Sequence, residues 1–516
     1  MTPVPLGAGT AWSLLPALLA IGLALLTRQV VPSLLLGCLV AAVMLAGGHP
    51  IDGLASLADS WLVGALNDAD HVKIVLFSLC IAGMVGVLSR AGATASLVGL
   101  VTRRARGPRS AAVAAWVGGL LLFFDDYANC LVLGHAFRPV ADRVGMSRAK
   151  LAWIVDSTAA PIASLALVST WIGYEVGLIG DGLAAAPAGQ GLSGYGFFLQ
   201  ALPYRAYGIL TIVLVGTVAA TGRDWGPMRR VEANARALAA REPVPATPHG
   251  AGPAWIALLS LATLVLGTLG FMLLEGRAEV LAAGGTPSLG AVLDVADGFR
   301  AMAVVSLATL LLASGLALAT RALRPAALVP AVEEGMGGLF PTLIVLILAW
   351  TLGAGLTALG AASYITGTVG AWLPPVLLPA AVFLVAAGCS FATGTSFGTM
   401  AILLPVVVPL AVTAGGGAAP VALAAVAAVL DGSCFGDHAS PISDTTVLSA
   451  SASGCPLVEH VRTQLPYALL AATLALLLGY LPAGFGVPAV ISALVGALAV
   501  LGAVRVLGAR PAPPRC

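Results

Sequence analysis

Residues 154–161 read Ile-Val-Asp-Ser-Thr-Ala-Ala-Pro, so an aspartate stands inside a segment that is otherwise apolar enough to cross a membrane. Similar stretches lie at 123–127 (Phe-Phe-Asp-Asp-Tyr), 430–433 (Leu-Asp-Gly-Ser) and 436–444 (Gly-Asp-His-Ala-Ser-Pro-Ile-Ser-Asp). An ionised carboxylate in hydrocarbon is costly, so such groups face the interior of a helix bundle and mark a path for ions or protons. The pattern therefore predicts a transport protein.

The composition of the chain is that of a polytopic membrane protein. Hydrophobic residues make up 59% of the 516 residues and charged residues 9%, against about 25% charged residues in soluble domains. The net charge of +2 and the lack of a basic arm argue against a nucleic-acid partner. The sequence contains no nucleotide-binding loop, nucleophile elbow or metal-ligand motif. It therefore predicts no catalytic residues, no cofactor and no enzyme activity.

Eleven apolar runs have the length of a membrane-spanning helix, which is about 17 to 25 residues. They are 12–27, 30–47, 72–89, 151–176, 204–221, 255–274, 299–320, 338–359, 421–451, 467–481 and 488–507. Two more stretches, 110–137 and 376–412, are too long or too interrupted for one crossing. Non-helical backbone at membrane depth is tolerated only against protein or a water-filled cavity. We therefore expect an all-α protein with about eleven spans and two re-entrant hairpins.

Arginine placement predicts the orientation, because cytoplasmic loops carry an excess of Arg and Lys. Basic residues flank the first hairpin on both sides, which places both of its ends in the cytoplasm. They are Arg103, Arg104, Arg106 and Arg109 before it, and Arg138, Arg143, Arg148 and Lys150 after it. The basic loop 223–241 is also expected inside, and the acidic loop with Asp52, Asp59, Asp68 and Asp70 outside. This orientation puts the N-terminus outside and the C-terminus, with Arg505, Arg510 and Arg515, in the cytoplasm.

The two halves of the sequence resemble each other in order. Residues 92–96 align with 360–364 at an offset of 268, Phe124 aligns with Phe391 at 267, and 161–164 align with 441–444 at 280. Each half would hold five crossings and one hairpin, and an odd number of crossings inverts the second half, as in many secondary transporters. The predicted units are a first repeat 1–222, a linker 223–253, a second repeat 254–482 and an extra helix with tail 483–516.

The candidate binding residues lie at the hairpin tips and in the segments that follow them. Broken helices expose backbone groups that bind ions, and Ser and Thr hydroxyls add neutral oxygen ligands. The predicted cation- and proton-binding residues are Asp125, Asp126, Asn129, Asp156, Ser157, Thr158, Thr393, Thr395, Ser396, Thr399, Asp431, Asp437, His438, Ser440, Asp444 and Thr445. Sodium is expected at a subset of these, chiefly Asp156, Asp437, Thr395 and Ser396.

Other roles are open for several of these residues. The small residues 394–399 would also suit close helix packing, and the aspartates would also suit helix caps. His438 is either a proton relay or a hydrogen-bond donor. Glu175 is expected at a membrane interface. No strong basic residue is expected in the middle of a span, which favours a cation over an organic anion as the substrate.

Five motifs resemble those of NhaC-type sodium/proton antiporters of the ion transporter superfamily. They are 124–129 (Phe-Asp-Asp-Tyr-Ala-Asn), 138–142 (Arg-Pro-Val-Ala-Asp), 154–161, 393–399 (Thr-Gly-Thr-Ser-Phe-Gly-Thr) and 431–446, within a likeness from about residue 10 to 480. The resemblance implies cation/proton antiport in a bacterial inner membrane, a scaffold domain, a mobile transport domain and a homodimer. The family also includes exchangers of organic acids, and the motifs do not separate these substrates.

The sequence thus predicts a secondary active transporter that exchanges sodium for protons by alternating access, with membrane lipid, sodium ions and protons as partners. The alternative within transport is a sodium- or proton-coupled carrier of a small organic acid, such as malate or lactate, or of another small organic solute. A channel or a membrane-bound enzyme would be a different class. Paired hairpins in a repeat favour alternating access over a pore.

Overall fold

The computed structural model describes residues 5–27, 29–102, 105–241, 252–287, 292, 296–361, 364, 374–441 and 443–509. Over these residues the chain is built from helices, and an isolated bridge pairs Asp224 with Ala509. Four of the predicted orientation markers lie outside the described residues, as do residues 242–251 of the linker. These markers are Arg103, Arg104, Arg510 and Arg515.

The α-helices have the following bounds: Leu15–Thr27, Val30–Leu45, Pro50–Ser56, Val63–Asn67, Ala69–Arg90, Ala93–Thr102, Pro108–Leu121, Asp126–Ala128, Gly134–Val144, Arg148–Ser157, Ala160–Ala163, Ile172–Ala184, Gly194–Ala201, Ala206–Thr221, Gly226–Arg241, Ala254–Ala282, Gly298–Ala319, Leu328–Ala358, Leu378–Thr393, Ser396–Gly415, Pro420–Ala439, Asp444–Ser453, Leu457–Ala475, Leu481–Gly484 and Ala489–Leu507. Short π-helical segments at Leu57–Leu62, Asn129–Leu133 and Leu476–Tyr480 join consecutive α-helices into longer ones.

Nine helices of the described residues are long and apolar enough to cross a membrane, or up to eleven if each of two bent pairs forms one span. The predicted all-α polytopic fold is therefore confirmed. One bent pair joins Val30–Leu45 to Pro50–Asn67 at 116°. The prediction of a loop that holds Asp52 and Asp59 is therefore wrong, because this segment is helical. Pro50 starts the helix and Asp52 lies in its first turn, where a carboxylate is favourable.

The segment from Pro108 to Val144, here called the first hairpin, turns back on itself as the sequence predicts. Its first helix ends at Leu121, and Gly118 on this helix faces Leu133 of the returning arm. At the start of the hairpin, Arg109 donates a hydrogen bond to the Thr221 carbonyl at 2.7 Å. Just after its end, the Ser147 amide donates to the Glu232 carboxylate at 2.6 Å. Both ends therefore lie beside the segment 221–232, at one face of the bundle.

Labelling of single cysteines is expected to show this shared face. Arg106→Cys and Arg148→Cys, each in a variant without native cysteines, should react with a membrane-impermeant maleimide from the same side of the membrane. Both positions are exposed, one before and one after the first hairpin. The measurement compares labelling of right-side-out and inside-out vesicles. Labelling from opposite sides would make the segment a full crossing.

The second hairpin consists of Leu378–Thr393 and Ser396–Gly415. Gly394 has a φ of +70° at the turn, a conformation that glycine adopts without strain. Thr395 caps the second arm by accepting a hydrogen bond from the Gly398 amide at 3.3 Å. The first arm, when extended to Pro375, and the second arm each count as a candidate span. However, the tip contacts Asp437 near the middle of the segment 420–453, so the hairpin ends partway along that segment.

Two broken segments follow the hairpins and carry the central aspartates. The span predicted over 151–176 is divided into Arg148–Ser157, Ala160–Ala163 and Ile172–Ala184, so its break is longer than expected. The span predicted over 421–451 is divided into the helices Pro420–Ala439 and Asp444–Ser453. The helix Pro420–Ala439 packs so closely on the second hairpin that a Cβ at Gly436 would collide with Ser390. The inverted repeat and the domain boundaries derived from it stay predictions.

Candidate functional site

The two broken segments bring Asp156 and Asp437 to one buried place. Their exposed fractions are 1% and 3%. Thr446, on the helix that follows the second break, lies between them. Its hydroxyl oxygen is 3.2 Å from Asp156 Oδ2 and 2.9 Å from the Asp437 carbonyl oxygen. Residues from the two halves of the sequence thus form a single cluster, here called the central site.

The Asp156 carboxylate is held by neutral groups and a histidine. Its Oδ2 accepts a hydrogen bond from Gln464 Nε2 at 2.7 Å and faces His460 Nε2 at 3.1 Å. Ser449 Oγ also lies 3.1 Å from the His460 nitrogen. The other carboxylate oxygen, Oδ1, is buried and has no hydrogen-bond partner. One side of this carboxylate is therefore fixed, and the other side has unused capacity to bind a cation or a proton.

The Asp437 carboxylate is held by hydroxyl groups on both sides. Ser396 at the tip of the second hairpin donates to Oδ2 at 2.6 Å, and Ser443 in the break donates to Oδ1. Among the described residues, neither Lys nor Arg forms an ion pair with Asp437 or with Asp156. Two buried carboxylates without a Lys or Arg partner make the central site strongly negative unless a cation or protons are bound.

His438 lies between two hydroxyl groups. Its Nε2 is 2.6 Å from Ser157 Oγ, and its Nδ1 is 2.6 Å from the Tyr207 hydroxyl oxygen. A neutral imidazole has one donor and one acceptor nitrogen, so one hydroxyl donates to the ring and the other accepts from it. The His438 carbonyl also accepts from Gln464, which links the histidine to Asp156. The arrangement fits a hydrogen-bonded chain, and the proton-relay role of His438 stays a prediction.

The tip of the first hairpin approaches the central site from another direction. Asn129 donates through its amide nitrogen to the carbonyls of Thr158 at 2.7 Å and Gly119 at 3.0 Å, while its Oδ1 is buried without a partner. Asp125 caps the short helix after it by accepting from the Ala128 amide at 2.6 Å. Asp126 is also buried, with 3% of its surface exposed.

The break in the second segment connects this tip to the central site. Asp444, an exposed residue, accepts a hydrogen bond from the Tyr127 hydroxyl group. Thr445 follows it, and its hydroxyl lies 3.2 Å from Ser443 Oγ. Ser440 is buried in the same break, and its amide donates to the Gly436 carbonyl at 2.8 Å.

Several predicted hydroxyl ligands bond to nearby backbone groups. Thr393 donates to the Cys389 carbonyl at 2.9 Å, and Thr399 donates to the Thr395 carbonyl at 3.0 Å. Thr158 donates to the Ile154 carbonyl at 2.8 Å. Of the four residues chiefly expected to hold sodium, Ser396 contacts Asp437, whereas the Thr395 hydroxyl serves as a helix cap.

Asp431 lies in a separate ionic cluster, here called the Arg205 triad. Arg205 Nε donates to Asp431 Oδ1 at 2.7 Å, and Arg205 Nη1 lies 3.7 Å from Glu175 Oε2. Asp431 also accepts from the Tyr207 amide at 2.8 Å and from the Tyr480 hydroxyl. At most 1% of any of the three charged side chains is exposed.

The expectation that no basic residue lies within a span is therefore wrong, because Arg205 lies inside the bundle, at the bend between Gly194–Tyr204 and Ala206–Thr221. Glu175 is completely buried, and its location near a membrane interface stays a prediction. Arg205 is paired with both carboxylates of the triad, and one of them is 226 positions away in sequence. Hydropathy, which is averaged over neighbouring residues, does not reveal such a pairing.

Sequence reasoning missed several residues of the central site, namely Tyr207, Ser443, Thr446, Ser449, His460 and Gln464. One signal was available for two of them. His460 and Gln464 are polar residues four positions apart, and they therefore lie on one face of the helix Leu457–Ala475. Polar residues that share a face of a spanning helix are expected to point into the bundle.

Among the proteins similar to this chain, those whose names state a function are transporters. An uncharacterized protein of Haemophilus influenzae is 33% identical over 92% of this chain and 91% of its own length. The malate-2H(+)/Na(+)-lactate antiporter of Bacillus subtilis is 34% identical over 22% of this chain and 24% of its own length. The crystal structure of the Alcanivorax borkumensis YdaH transporter matches with a TM-score of 0.61 at 19% identity, over 85% of this chain and 90% of that one. This last likeness concerns the fold.

A sequence profile of the Na+/H+ antiporter family matches residues 162–485. These residues include the second hairpin and most of the central site. The profile therefore agrees with the motif resemblance to NhaC-type antiporters. The chain belongs to the Na+/H+ antiporter family, and it is a multi-pass membrane transporter.

Proposed function

We propose that this protein exchanges sodium ions for protons across a bacterial inner membrane, with both ions binding in turn at the central site. The proposal includes a homodimer, an N-terminus outside the cell and a cytoplasmic C-terminus. These features follow from the motif resemblance and the arginine placement. Alternating access would expose the central site first to one side of the membrane and then to the other.

The proposal rests on the burial and the incomplete hydrogen bonding of the Asp156 carboxylate. Its side-chain atoms are completely buried, one of its oxygens has no partner, and its neighbour His460 supplies a counter-charge only when that histidine is protonated. A buried carboxylate without a counter-charge is strongly unfavourable. A sodium ion or a proton would each remove this cost. Because both would neutralise the same negative charge, they would exclude one another, and this exclusion couples their movements.

Neutral oxygens around the site would suit sodium. Buried oxygens without partners are present on Asn129 and Gln464 as well as on Asp156. Asn129 is tied to the carbonyl of Thr158, two residues after Asp156. Carbonyl and side-chain oxygens at broken helices are the usual sodium ligands in secondary transporters.

A carrier of a small organic acid is the second candidate, favoured by the Bacillus subtilis relative named for malate and lactate exchange. A carboxylate substrate would require an available basic group. Arg205 is buried and already paired with Asp431 and Glu175. This pairing favours a cation as the main substrate.

The proposal is tested with purified protein in proteoliposomes. A sodium gradient should drive proton movement in the opposite direction, measured with a pH-sensitive dye, and lactate or malate should have no effect on it.

Simple competition predicts that the apparent sodium affinity falls by up to about tenfold for each unit by which the pH is lowered, as long as one proton competes. Sodium added to detergent-purified protein should also release protons. Sodium affinity that is constant from pH 5.5 to 8.5, without proton release, would contradict the shared site. Transport that requires lactate or malate would favour the organic-acid carrier.

A further inference from the structure

A cavity of about 420 Å³ lies between the first hairpin and the helices Ala69–Arg90 and Leu328–Ala358. Asp125 and Tyr127 of the hairpin form part of its wall, and Arg90 and Glu334 lie on the two helices opposite. A water molecule occupies about 30 Å³ in the liquid. The cavity is therefore large enough for an ion with its hydration shell.

Two consecutive contacts connect the wall of this cavity to the central site. The Tyr127 hydroxyl donates a hydrogen bond to Asp444, the first residue of the helix Asp444–Ser453. Two residues later in this helix, Thr446 contacts both Asp156 and Asp437. The Tyr127–Asp444 hydrogen bond therefore joins the cavity wall on the first hairpin to the second broken segment.

The charges in the cavity favour cations. Arg90 and Glu334 neutralise each other through an ion pair of 2.9 Å. Asp125 remains, and 8% of its surface is exposed. A cleft with a net charge of one sign raises the local concentration of counter-ions by about tenfold or more.

A second cavity, of about 410 Å³, lies at the other end of the same two helices. Its lining includes His71, Asp181 and Trp350. Residues 71 and 90 of the first helix are separated by about 28 Å at the helical rise per residue, which is close to the ~30 Å hydrocarbon thickness of a bilayer. The two cavities are thus placed at opposite ends of one helix pair, as entry and exit for a carrier would be.

We propose that the cavity beside Asp125 is a vestibule that concentrates hydrated monovalent cations for the central site, and that the Tyr127–Asp444 hydrogen bond is its inner gate. This inference rests on the proposed cation exchange and adds the route and two of its residues. Asp125 acts on the cation through its charge, and Tyr127 acts through Asp444.

Thiol chemistry tests the charge of the vestibule independently of transport. Gly338→Cys places a thiol on the cavity wall, and a Cβ at Gly338 meets no atom within 4 Å. In a variant without native cysteines, this thiol should react about tenfold faster with 2-(trimethylammonium)ethyl methanethiosulfonate than with 2-sulfonatoethyl methanethiosulfonate, after correction for their rates with free thiol. Asp125→Asn should reduce this preference. Gly337→Cys is the matched control, because it has the same free space but does not line the cavity.

Equal corrected rates for the two reagents at Gly338→Cys, or a preference that Asp125→Asn leaves unchanged, would overturn the vestibule. Transport and labelling distinguish the two proposals. A cation-selective vestibule in a protein without sodium/proton exchange would refute the proposed function alone. Exchange with a vestibule that lacks charge selectivity would refute the present inference alone.

The gate is tested with Cys130 as the single cysteine. This side chain is completely buried, and its sulfur lies 3.8 Å from the carbonyl oxygen of Thr445, the residue that follows Asp444. Tyr127→Phe removes the hydroxyl group and should increase the rate at which the cationic reagent modifies Cys130 several-fold. Asp444→Ala breaks the same bond from the other side and should have the same effect. Unchanged reactivity in both variants would show that this bond is not a gate.

Discussion

Asp156→Asn is expected to abolish sodium-driven proton movement in proteoliposomes while the protein still inserts in the membrane. The amide keeps the size of the side chain, but it has no charge to attract a cation and it cannot take up and release a proton. Leaving one partner of a buried ion pair alone typically costs about 3–5 kcal/mol, and each 1.4 kcal/mol corresponds to a factor of about ten in affinity. Sodium affinity should therefore fall by at least about a hundredfold.

Asp437→Asn should have the same effect, because Thr446 contacts the Asp156 carboxylate and the Asp437 backbone carbonyl, so that both residues lie in one cluster. Asp52→Asn is the matched control, since Asp52 is exposed and lies in the helix Pro50–Ser56, away from this cluster. It should transport like the unchanged protein. Normal exchange in both Asp156→Asn and Asp437→Asn would show that these residues do not carry the coupling charge.

The largest effect on stability is expected for Arg205→Met. The substitution leaves Asp431 and Glu175 buried without their shared arginine. Breaking a buried pair in this way costs about 3–5 kcal/mol, because the remaining charges stay out of water. Thermal unfolding in detergent, followed by the fluorescence of a thiol-reactive dye, should show a clear decrease in the melting temperature.

Two further variants separate charge from packing. Replacing all three charges, by Arg205→Met, Asp431→Asn and Glu175→Gln, should restore much of the lost stability, since no unpaired charge then remains. Arg148→Ala removes a half-exposed partner of Asp142 and should cost no more than about 1 kcal/mol. An Arg205→Met variant as stable as Arg148→Ala would mean that the triad does not stabilise the fold.

Much of the fold could be predicted from the sequence because membrane insertion depends on local composition. An apolar run of sufficient length must form a helix, since no water is available for its backbone groups. The interruptions at 122–125, at 394–395 and between Ala439 and Asp444 were predictable from the same local composition, because polar residues or glycine stand there within apolar runs. The aspartates at these breaks were also recognisable as candidate site residues.

The sequence by itself therefore determined an all-helical membrane protein, its two hairpins, and the presence of Asp156 and Asp437 next to broken helices. Only the tertiary structure decided which polar groups meet. It joined Thr446, His460 and Gln464 to Asp156, and it placed Asp431 beside Arg205 instead of in the central site. The physical reason is that burial and pairing energies depend on groups hundreds of positions apart, whereas hydropathy and helix breaks are properties of neighbouring residues.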